Sequence, residues 1–310
     1  MRPRRERARS MNPDVAWPIW SRERAQRVEG ALEGALPKSG ESPQPLLHAA
    51  MRYAVLGGGK RVRALLAYAS GELAGADVGV VDHAAVAVEL VHAYSLIHDD
   101  LPCMDDDVLR RGKPTCHVAH GEAMALLAGD ALQTLAFEVL AGAPVGHAQS
   151  RALAQIATLA KAAGSRGMAG GQALDLSHVG DALKLDELER MHALKTGALI
   201  QAALRLGAGC GRQLGPAESD ALDRYAAAVG LGFQVVDDVL DVEGTAQSLG
   251  KTAGKDAMQG KPTYVSLLGL DAAKERVAEL RDQAHTALLG FGAGARRLNE
   301  LADWIAFRKN

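Results

Sequence analysis

The chain has 310 residues, of which 48% are hydrophobic, and a formal net charge of −2. A chain of this size can bury a large core, as one large domain or two smaller ones. The near-neutral charge gives no reason to expect nucleic acid or an anionic membrane as a partner. The three cysteines are scattered and form no disulfide framework, which favours a reducing compartment such as the cytoplasm.

The N-terminus, MRPRRERARS, is basic and lacks the apolar segment of a signal peptide. We predict a flexible basic tail over residues 1–11 and one folded domain over residues 12–310, with Met11 as an alternative natural start. No apolar run is expected to reach the length of a membrane span, so no stable membrane association is expected.

Nearly every later segment has the pattern of an α-helix. Alanine and leucine are abundant and aromatic residues make up only 4% of the chain. The segment HAAVAVELVHAYSLIHD has one apolar face at helical spacing, formed by Val86, Leu90, Ala93 and Ile97. The segment EAMALLAGDALQTLAFEVLAG is apolar nearly all round, which predicts a central, buried helix.

Two further long helices are expected, in DELERMHALKTGALIQAALRLGAG and in a segment that ends near Gly244. The polar stretch 244–263 is the best candidate for a mobile loop that closes over a site, together with the basic C-terminus FRKN. The expected fold is one all-α domain of about ten or more helices packed round a centre.

Five aspartates crowd the end of one apolar helix, in SLIHDDLPCMDDDVLRRGKPT. They are Asp99, Asp100, Asp105, Asp106 and Asp107. Crowded carboxylates raise one another's pKa, so a cation is one explanation for the cluster and a solvated acidic turn is the other. Because Asp99 and Asp105 are six residues apart, a regular helix would separate them by about 120°. Pro102 lies between them, and we expect a bulged helix end that returns Asp105 towards Asp99.

A second acidic cluster, DDVLDVEG, contains Asp237, Asp238 and Asp241. Asp237 and Asp241 are four residues apart, which places both carboxylates on one face of a helix. Their neighbours are valine and leucine rather than lysine and arginine, which argues against a solvated surface. Mg²⁺ takes one or two protein carboxylates together with water and substrate phosphate oxygens. Two such helices facing each other would hold two or three Mg²⁺ ions with a diphosphate between them.

Basic residues of the kind that bind a diphosphate occur near both clusters. They are Lys60, Arg61, Arg63, Arg110, Arg111, Lys195, Lys251, Lys255 and Lys261. His92 lies seven residues before Asp99, on roughly the same helix face, and a buried structural histidine is the alternative interpretation.

Seven motifs occur in order along the chain. They are GGKRVR, HAYSLIHDDLPCMDDDVLRRGKPTCH, GDALQTLAF, GGQALDL, HALKTGALI, GFQVVDDVLDVEG and LGKTAGKD. With these motifs, the chain from about residue 45 onwards resembles the trans-isoprenyl diphosphate synthases, and among them the bacterial farnesyl type. The resemblance implies an isoprenoid synthase bundle, in which mostly antiparallel helices surround a central cavity with the two aspartate motifs facing each other across its mouth. It also implies a homodimer.

The resemblance assigns a role to each matching residue. Two Mg²⁺ ions would be bound by Asp99 and Asp105 with Asp100 in support, and a third by Asp237 with Asp238 and Asp241 in support. The allylic diphosphate, dimethylallyl or geranyl, would be held by Arg110, Lys195, Lys251 and Lys261. Isopentenyl diphosphate would be held by Lys60, Arg63, His92 and Arg111. The carbocation would be faced by Thr196 and Gln234, with Gln172 and Asp175 lining the cavity behind it.

The implied reaction condenses isopentenyl diphosphate with an allylic diphosphate and gives (2E,6E)-farnesyl diphosphate. The residues expected to take part in catalysis are Asp99, Asp105, Asp237, Lys195, Thr196 and Gln234. Two positions depart from the family pattern: Ala64 replaces a common proline, and Thr245 replaces a common aspartate. Both bear on loop geometry rather than on the activity.

Product length is expected to depend on Tyr94 and Ser95, five and four residues before Asp99 and one helical turn deeper in the cavity. An aromatic residue at this depth resembles the farnesyl type, so we predict that Tyr94 forms the cavity floor and the product is C15. A geranyl or geranylgeranyl diphosphate synthase is the nearest alternative. A class I terpene cyclase is disfavoured by DDVLD, and a non-catalytic partner subunit is disfavoured because both aspartate motifs are present.

Overall fold

The computed structural model describes residues 15–38, 40, 43–143, 149–178, 183–243 and 262–308. The predicted basic tail over residues 1–11 and nearly all of the polar stretch 244–263 lie outside the described residues. The described chain is almost entirely α-helical, as the prediction of an all-α fold requires.

In chain order the helices are α1 (Trp17–Ala35), α2 (Pro45–Val55), α3 (Val62–Leu73), α4 (Val78–Asp99), α5 (Cys116–His120), α6 (Glu122–Ala141), α7 (Gln149–Ala163), α8 (Met168–Ser177), α9 (Leu185–His192), α10 (Ala198–Gly209), α11 (Pro216–Glu243), α12 (Tyr264–Leu268), α13 (Leu270–Ala287) and α14 (Arg296–Phe307). A π-helical turn, Ala193–Gly197, joins α9 to α10, and a 3₁₀ segment, Leu289–Ala295, precedes α14. Within the described ranges the strands are limited to one antiparallel ladder of two residues each, β1 (Leu109–Arg110) and β2 (Lys113–Pro114).

Helix α4 is the central helix of the bundle. It begins at Asp77, whose side chain accepts a hydrogen bond from the backbone N–H of Gly79 (2.7 Å) and so caps the helix. It packs against α3, α6 and α10. Residues on nearly every side of it are buried, including Val88 and Val91. The single apolar face predicted from the sequence was therefore too narrow.

Helix α6 is apolar nearly all round, but the prediction that it is central and buried was wrong. One face packs against α2 and α4. The other carries Leu126 and Leu127, whose exposed fractions are 47% and 51%. An apolar composition allows burial on every side, whereas the number of neighbouring helices decides how much of the surface is buried.

The expectation about membrane spans also needs correction. Helices α4 and α6 are both long and apolar enough to cross a membrane, judged by length and composition alone. In α4, 67% of the most apolar stretch is buried inside the protein, and in α6 33% is. Core helices of soluble proteins meet the same criterion, so length and composition are weak support for a membrane span.

Two apolar cores hold the helices in place. The larger contains Leu66, Leu90 and Leu132 from α3, α4 and α6. The smaller lies where α11 packs against α12 and α13, and contains Val235 and Tyr264. The first aspartate motif is attached to the large core through α4, and the second to the small core through α11.

Candidate active site

A cavity of about 740 Å³ opens between these helices. It brings together most of the residues that the sequence predicts for the site. Of these, the wall contains Lys60, Arg63, His92, Tyr94, Ser95, Asp99, Arg110, Arg111, Gln172, Lys195, Thr196, Gln234 and Asp237. Asp100, Asp105, Asp175, Asp238 and Asp241 are not part of the described wall, and Lys251 and Lys261 lie outside the described residues.

The first aspartate motif bends back on itself at the end of α4. The backbone N–H of Asp105 donates to the carbonyl oxygen of Asp99 at 2.8 Å. Asp106 allows the bend by adopting a left-handed backbone, with φ 49°. The predicted return of Asp105 towards Asp99 is confirmed. Burial raises the pKa of Asp99 to about 6; Lys195 opposes the rise and Asp105 adds to it.

Asp100 faces away from the cavity wall and is buried against Arg110. Its carboxylate oxygens accept hydrogen bonds from Arg110 Nε (2.9 Å to each oxygen) and Nη2 (2.6 Å). Burial raises the pKa of Asp100, and the Arg110 guanidinium opposes that rise. Asp100 thereby orients Arg110 at the cavity, and a supporting metal role for it stays a prediction.

The second aspartate motif carries a counter-ion that comes from the other end of the chain. Arg308 Nη2 lies 2.7 Å from Asp237 Oδ1 and donates at 2.9 Å to the carbonyl oxygen of Phe233. The Arg308 guanidinium also lies over the Phe233 ring, 4.0 Å from its centroid. The Arg308 side chain is only 4% exposed, so a buried cation sits against the carboxylate predicted to bind Mg²⁺.

A chain of hydrogen bonds holds Asp238, the second aspartate of this motif. The hydroxyl of Thr196 donates to Gln234 Oε1 at 3.3 Å, and Gln234 Nε2 donates to Asp238 Oδ1 at 3.0 Å. Asp238 Oδ2 accepts from the backbone N–H of Tyr264 at 2.8 Å. Asp238 is buried and fixes the Gln234 amide, while Asp241 is buried further along the helix. Metal binding by Asp238 and Asp241 stays a prediction.

Lys195 and Thr196 are presented by the π-helical turn between α9 and α10. Such turns interrupt regular helices and often occur at functional sites. Lys195 Nζ lies 2.5 Å from Asp175 Oδ2 on α8. Helix α8 can approach this closely because residue 171 is glycine: a Cβ there would lie 2.1 Å from the backbone nitrogen of Lys195. On the same helix, the Gln172 side chain faces the cavity with both amide atoms buried and without a hydrogen-bond partner.

The opposite part of the cavity wall is cationic. Lys60, Arg63 and Arg111 meet there around His92. Loss of hydration lowers the pKa of each of these three cations, and positive charge on neighbouring arginines lowers it further. Burial, together with the positive charges of nearby arginines such as Arg63 and Arg111, lowers the pKa of His92 well below its usual range, so the ring is neutral. A multiply charged anion bound at this wall would neutralise the crowded positive charges.

An ion pair that the sequence analysis did not identify supports this cationic wall. Arg61, with a left-handed φ of 50°, donates to Glu29 (2.8 Å), Glu89 (3.1 Å) and the carbonyl oxygen of Val55 (2.6 Å). Glu89 also accepts from the backbone N–H of Ala64 at 3.1 Å. These bonds fix the loop that carries Lys60 and the first turn of α3, which carries Arg63. The sequence signal for this role was Glu89, a glutamate within the apolar run from Ala84 to Val91 of α4.

The carboxylates fit Mg²⁺ as a partner. Among the described residues, no three His, Cys, Asp or Glu side chains converge as a ready-made metal site. Mg²⁺ does not need one, because it completes its shell with water and phosphate oxygens. The raised pKa of Asp99 shows a carboxylate that nearby cations do not fully stabilise. The donor set is therefore suited to Mg²⁺ bound jointly with a diphosphate.

Comparison with known proteins agrees with this site. The polyprenyl synthetase family model matches residues 44–287. A farnesyl diphosphate synthase from Escherichia coli is 51% identical over 262 residues, covering 83% of this chain and 88% of the relative. A chloroplastic geranylgeranyl pyrophosphate synthase from Capsicum annuum is 47% identical over 296 residues, 94% of this chain and 79% of the relative.

The fold has a solved counterpart with ligands in place. A geranyltransferase from Helicobacter pylori, complexed with magnesium and isoprenyl diphosphate, superposes with a TM-score of 0.82. The two are 33% identical, and the match covers 94% of this chain and 97% of the other. The all-α isoprenoid synthase fold predicted from the sequence is confirmed. The chain belongs to the polyprenyl synthetase family.

Proposed function

We propose that this protein is a Mg²⁺-dependent prenyltransferase that adds isopentenyl diphosphate to dimethylallyl and then geranyl diphosphate, and releases (2E,6E)-farnesyl diphosphate. The observation that carries the proposal is the single cavity, in which a cationic wall (Lys60, Arg63, Arg111) faces carboxylates at Asp99 and Asp237. The two walls give two diphosphates separate places in one space. A terpene cyclase, with one diphosphate substrate, would not need the cationic wall.

The carboxylates and cations of the chain prepare the leaving group. Asp99, Asp105 and Asp237 would hold up to three Mg²⁺ ions, and bound Mg²⁺ supplies the charge neutralisation that lets the allylic C–O bond break. Arg110 and Lys195 bind the same diphosphate from the protein side, each oriented by a buried carboxylate, Asp100 and Asp175. Lys251 and Lys261 are proposed to join them.

The rest of the wall protects and directs the cation that forms. The Thr196 hydroxyl and the Gln234 amide line the cavity, held in place by Asp238. Their oxygen dipoles stabilise positive charge without attacking it. The double bond of isopentenyl diphosphate, held by Lys60, Arg63, His92 and Arg111, forms the new C–C bond, and the proton lost goes to the departing diphosphate. A cavity that excludes water keeps the cation from being hydrolysed.

Tyr94 supports a C15 product. It is buried, lines the cavity and lies one helical turn below Asp99 on α4. A floor at this depth leaves room for a farnesyl chain and stops further elongation. The similarity to a geranylgeranyl synthase makes C20 the second candidate product.

Two further proposals concern the state of the protein. The exposed apolar face of α6, with Leu126 and Leu127, supports assembly as a homodimer through that helix. The three cysteines, none of them in a disulfide, support a cytoplasmic location.

The function is tested by incubating the purified protein with Mg²⁺, dimethylallyl diphosphate and excess isopentenyl diphosphate, and identifying products by mass. A C15 diphosphate is the expected main product, and EDTA is expected to abolish it. Products of C20 or longer would leave the reaction in place and contradict the chain length. A Tyr94→Ala variant that still stops at C15 would contradict the role of Tyr94 as the floor. Absence of condensation with either allylic primer would contradict the function itself.

A further inference from the structure

His98 lines the cavity directly before Asp99, and the reaction described above does not use it. Its ring meets the ring of Tyr94, one turn earlier on α4, edge to face: the centroids are 5.8 Å apart and the planes are at 72°. Such edge-to-face contacts between rings are directional and stabilise one relative orientation. The ring that forms the floor of the cavity therefore rests against a second ring.

Helix α6 holds the His98 ring from the other side. His98 Nε2 lies 3.1 Å from the carbonyl oxygen of Leu126 and 3.9 Å from a carboxylate oxygen of Asp130. The ring occupies the space left by the missing side chain of Gly129. A Cβ at that position would lie 2.1 Å from Nε2, 2.5 Å from Cδ2 and 2.9 Å from Cε1 of His98. Gly129 has helical backbone geometry, so the site requires glycine for space and not for conformation.

The same face of α6 also contacts Tyr94. The side chain of Gln133 lies close enough to the Tyr94 hydroxyl to lower its pKa, against the larger rise caused by burial. Gln133 is four residues after Gly129, so the two lie on one face of α6, one turn apart. Each ring of α4 thus has its own neighbour on α6: His98 fits over Gly129, and the Tyr94 hydroxyl lies beside Gln133.

We propose that Gly129 and Gln133 are positioning residues for product length, acting through His98 and Tyr94. The inference rests on the proposed function and deepens it: the depth of the cavity is set by how α6 holds two rings of α4. A side chain at position 129 displaces the His98 ring from α6. Because the ring stays attached to α4 beside the cavity, it moves into the space meant for the growing chain.

The test compares the products of three variants with those of the unaltered enzyme, using the dimethylallyl and isopentenyl diphosphate assay. Gly129→Ala is expected to raise the C10:C15 product ratio by about tenfold or more, the scale on which apolar pockets discriminate by size. His98→Ala is expected to shift products towards C20. The third variant combines Gly129→Ala with His98→Ala. In this double variant the new methyl group occupies the space that the His98 ring leaves, so the C10 excess is expected to disappear.

The matched control is Gly30→Ala, in helix α1, where an added Cβ meets nothing within 4 Å. It is expected to leave the product ratio unchanged. An unchanged ratio in a folded Gly129→Ala enzyme would overturn the proposal. A C10 excess that persists in the double variant would overturn the route through His98. Should Gly129→Ala fail to fold, His98→Ala and Gln133→Leu carry the test: both are expected to lengthen the products, and the proposal fails if neither does.

A binding measurement that needs no catalytic turnover distinguishes a failure of this inference from a failure of the proposed function. Calorimetric titration of geranyl and farnesyl diphosphate onto each enzyme is expected to show that Gly129→Ala weakens farnesyl binding by about tenfold more than geranyl binding. Equal weakening of both would overturn the proposal even if the enzyme condensed no substrate. A lack of condensation by the unaltered enzyme, with this difference in binding intact, would contradict the proposed function alone.

Discussion

The two aspartate motifs look alike in sequence and differ in how the protein balances their charge. In the first, Asp99 lies on the cavity wall with a pKa raised to about 6. In the second, Asp237 is paired with Arg308 at 2.7 Å, and Asp238 accepts hydrogen bonds from Gln234 and from the backbone of Tyr264. Asp99 therefore depends more on cations that arrive with substrate, whereas Asp237 and Asp238 have their partners within the chain itself.

Catalytic activity is where the first motif should matter most. Asp99→Asn is expected to lower kcat by about 10²–10³, the loss seen when one charge-stabilising group is removed from a preorganised site. Asp107→Asn is the matched control, since Asp107 lies outside the cavity wall, 3.8 Å from Arg110. Steady-state assays at saturating substrate and Mg²⁺ measure both. An Asp99→Asn enzyme that kept a tenth of its activity would contradict this view of the motif.

Substitutions in the second motif are expected to lower the free energy of unfolding more than substitutions in the first motif do. Asp238→Ala removes the acceptor for both Gln234 and the Tyr264 backbone, and is expected to lower the free energy of unfolding by about 2–3 kcal/mol. Asp237→Ala, at a side chain that is 42% exposed, is expected to cost about 1 kcal/mol or less. Urea unfolding in EDTA compares the two. Equal losses would mean that Asp238 does not anchor α12.

The raised pKa of Asp99 predicts a stability that depends on pH. The folded protein binds this proton more tightly than the unfolded chain does, because the pKa rises from 3.8 to about 6. The ionised carboxylate therefore destabilises the fold above pH 6, and the penalty is relieved as pH falls from about 6 to 4. At pH 7.5 without Mg²⁺, Asp99→Asn is expected to be more stable than the unaltered protein by about 3 kcal/mol, at about 1.36 kcal/mol per pKa unit.

Urea unfolding at a series of pH values checks this sign. The stability difference between the two proteins should shrink towards zero near pH 4. A difference that stays constant across the range would show that the gain comes from something other than the charge of Asp99.

A small effect, of the same order as that at Asp237, is expected at Arg308. Arg308→Ala removes an ion pair to a partly exposed carboxylate, one hydrogen bond and a cation–π contact, and is expected to cost about 0.5–1.5 kcal/mol. Arg308→Lys keeps the charge but not the stacking on Phe233, so it should fall between the two. Thermal unfolding without Mg²⁺ ranks the three proteins. Identical midpoints would mean that Arg308 does not balance Asp237 in solution.

Features that depend on nearby residues were predictable from the sequence. The helical pattern and the return of Asp105 towards Asp99 both follow from local spacing or from a proline. The burial of α4 and α6 did not follow, because the two helices have the same mean hydropathy over their most apolar stretches. Their positions in the bundle, central for α4 and peripheral for α6, decide how many neighbours cover each one.

By itself the sequence determined the all-α class, the family and the two aspartate motifs, because helical periodicity and motif spacing are local properties of the chain. Only the tertiary structure decided which carboxylates face the cavity and which are already paired. Asp100 is paired ten residues away and Asp237 seventy-one residues away. The same holds for His98, which rests over Gly129 on another helix. Such partners are brought together by helix packing, and no spacing along the chain specifies which side chains will meet.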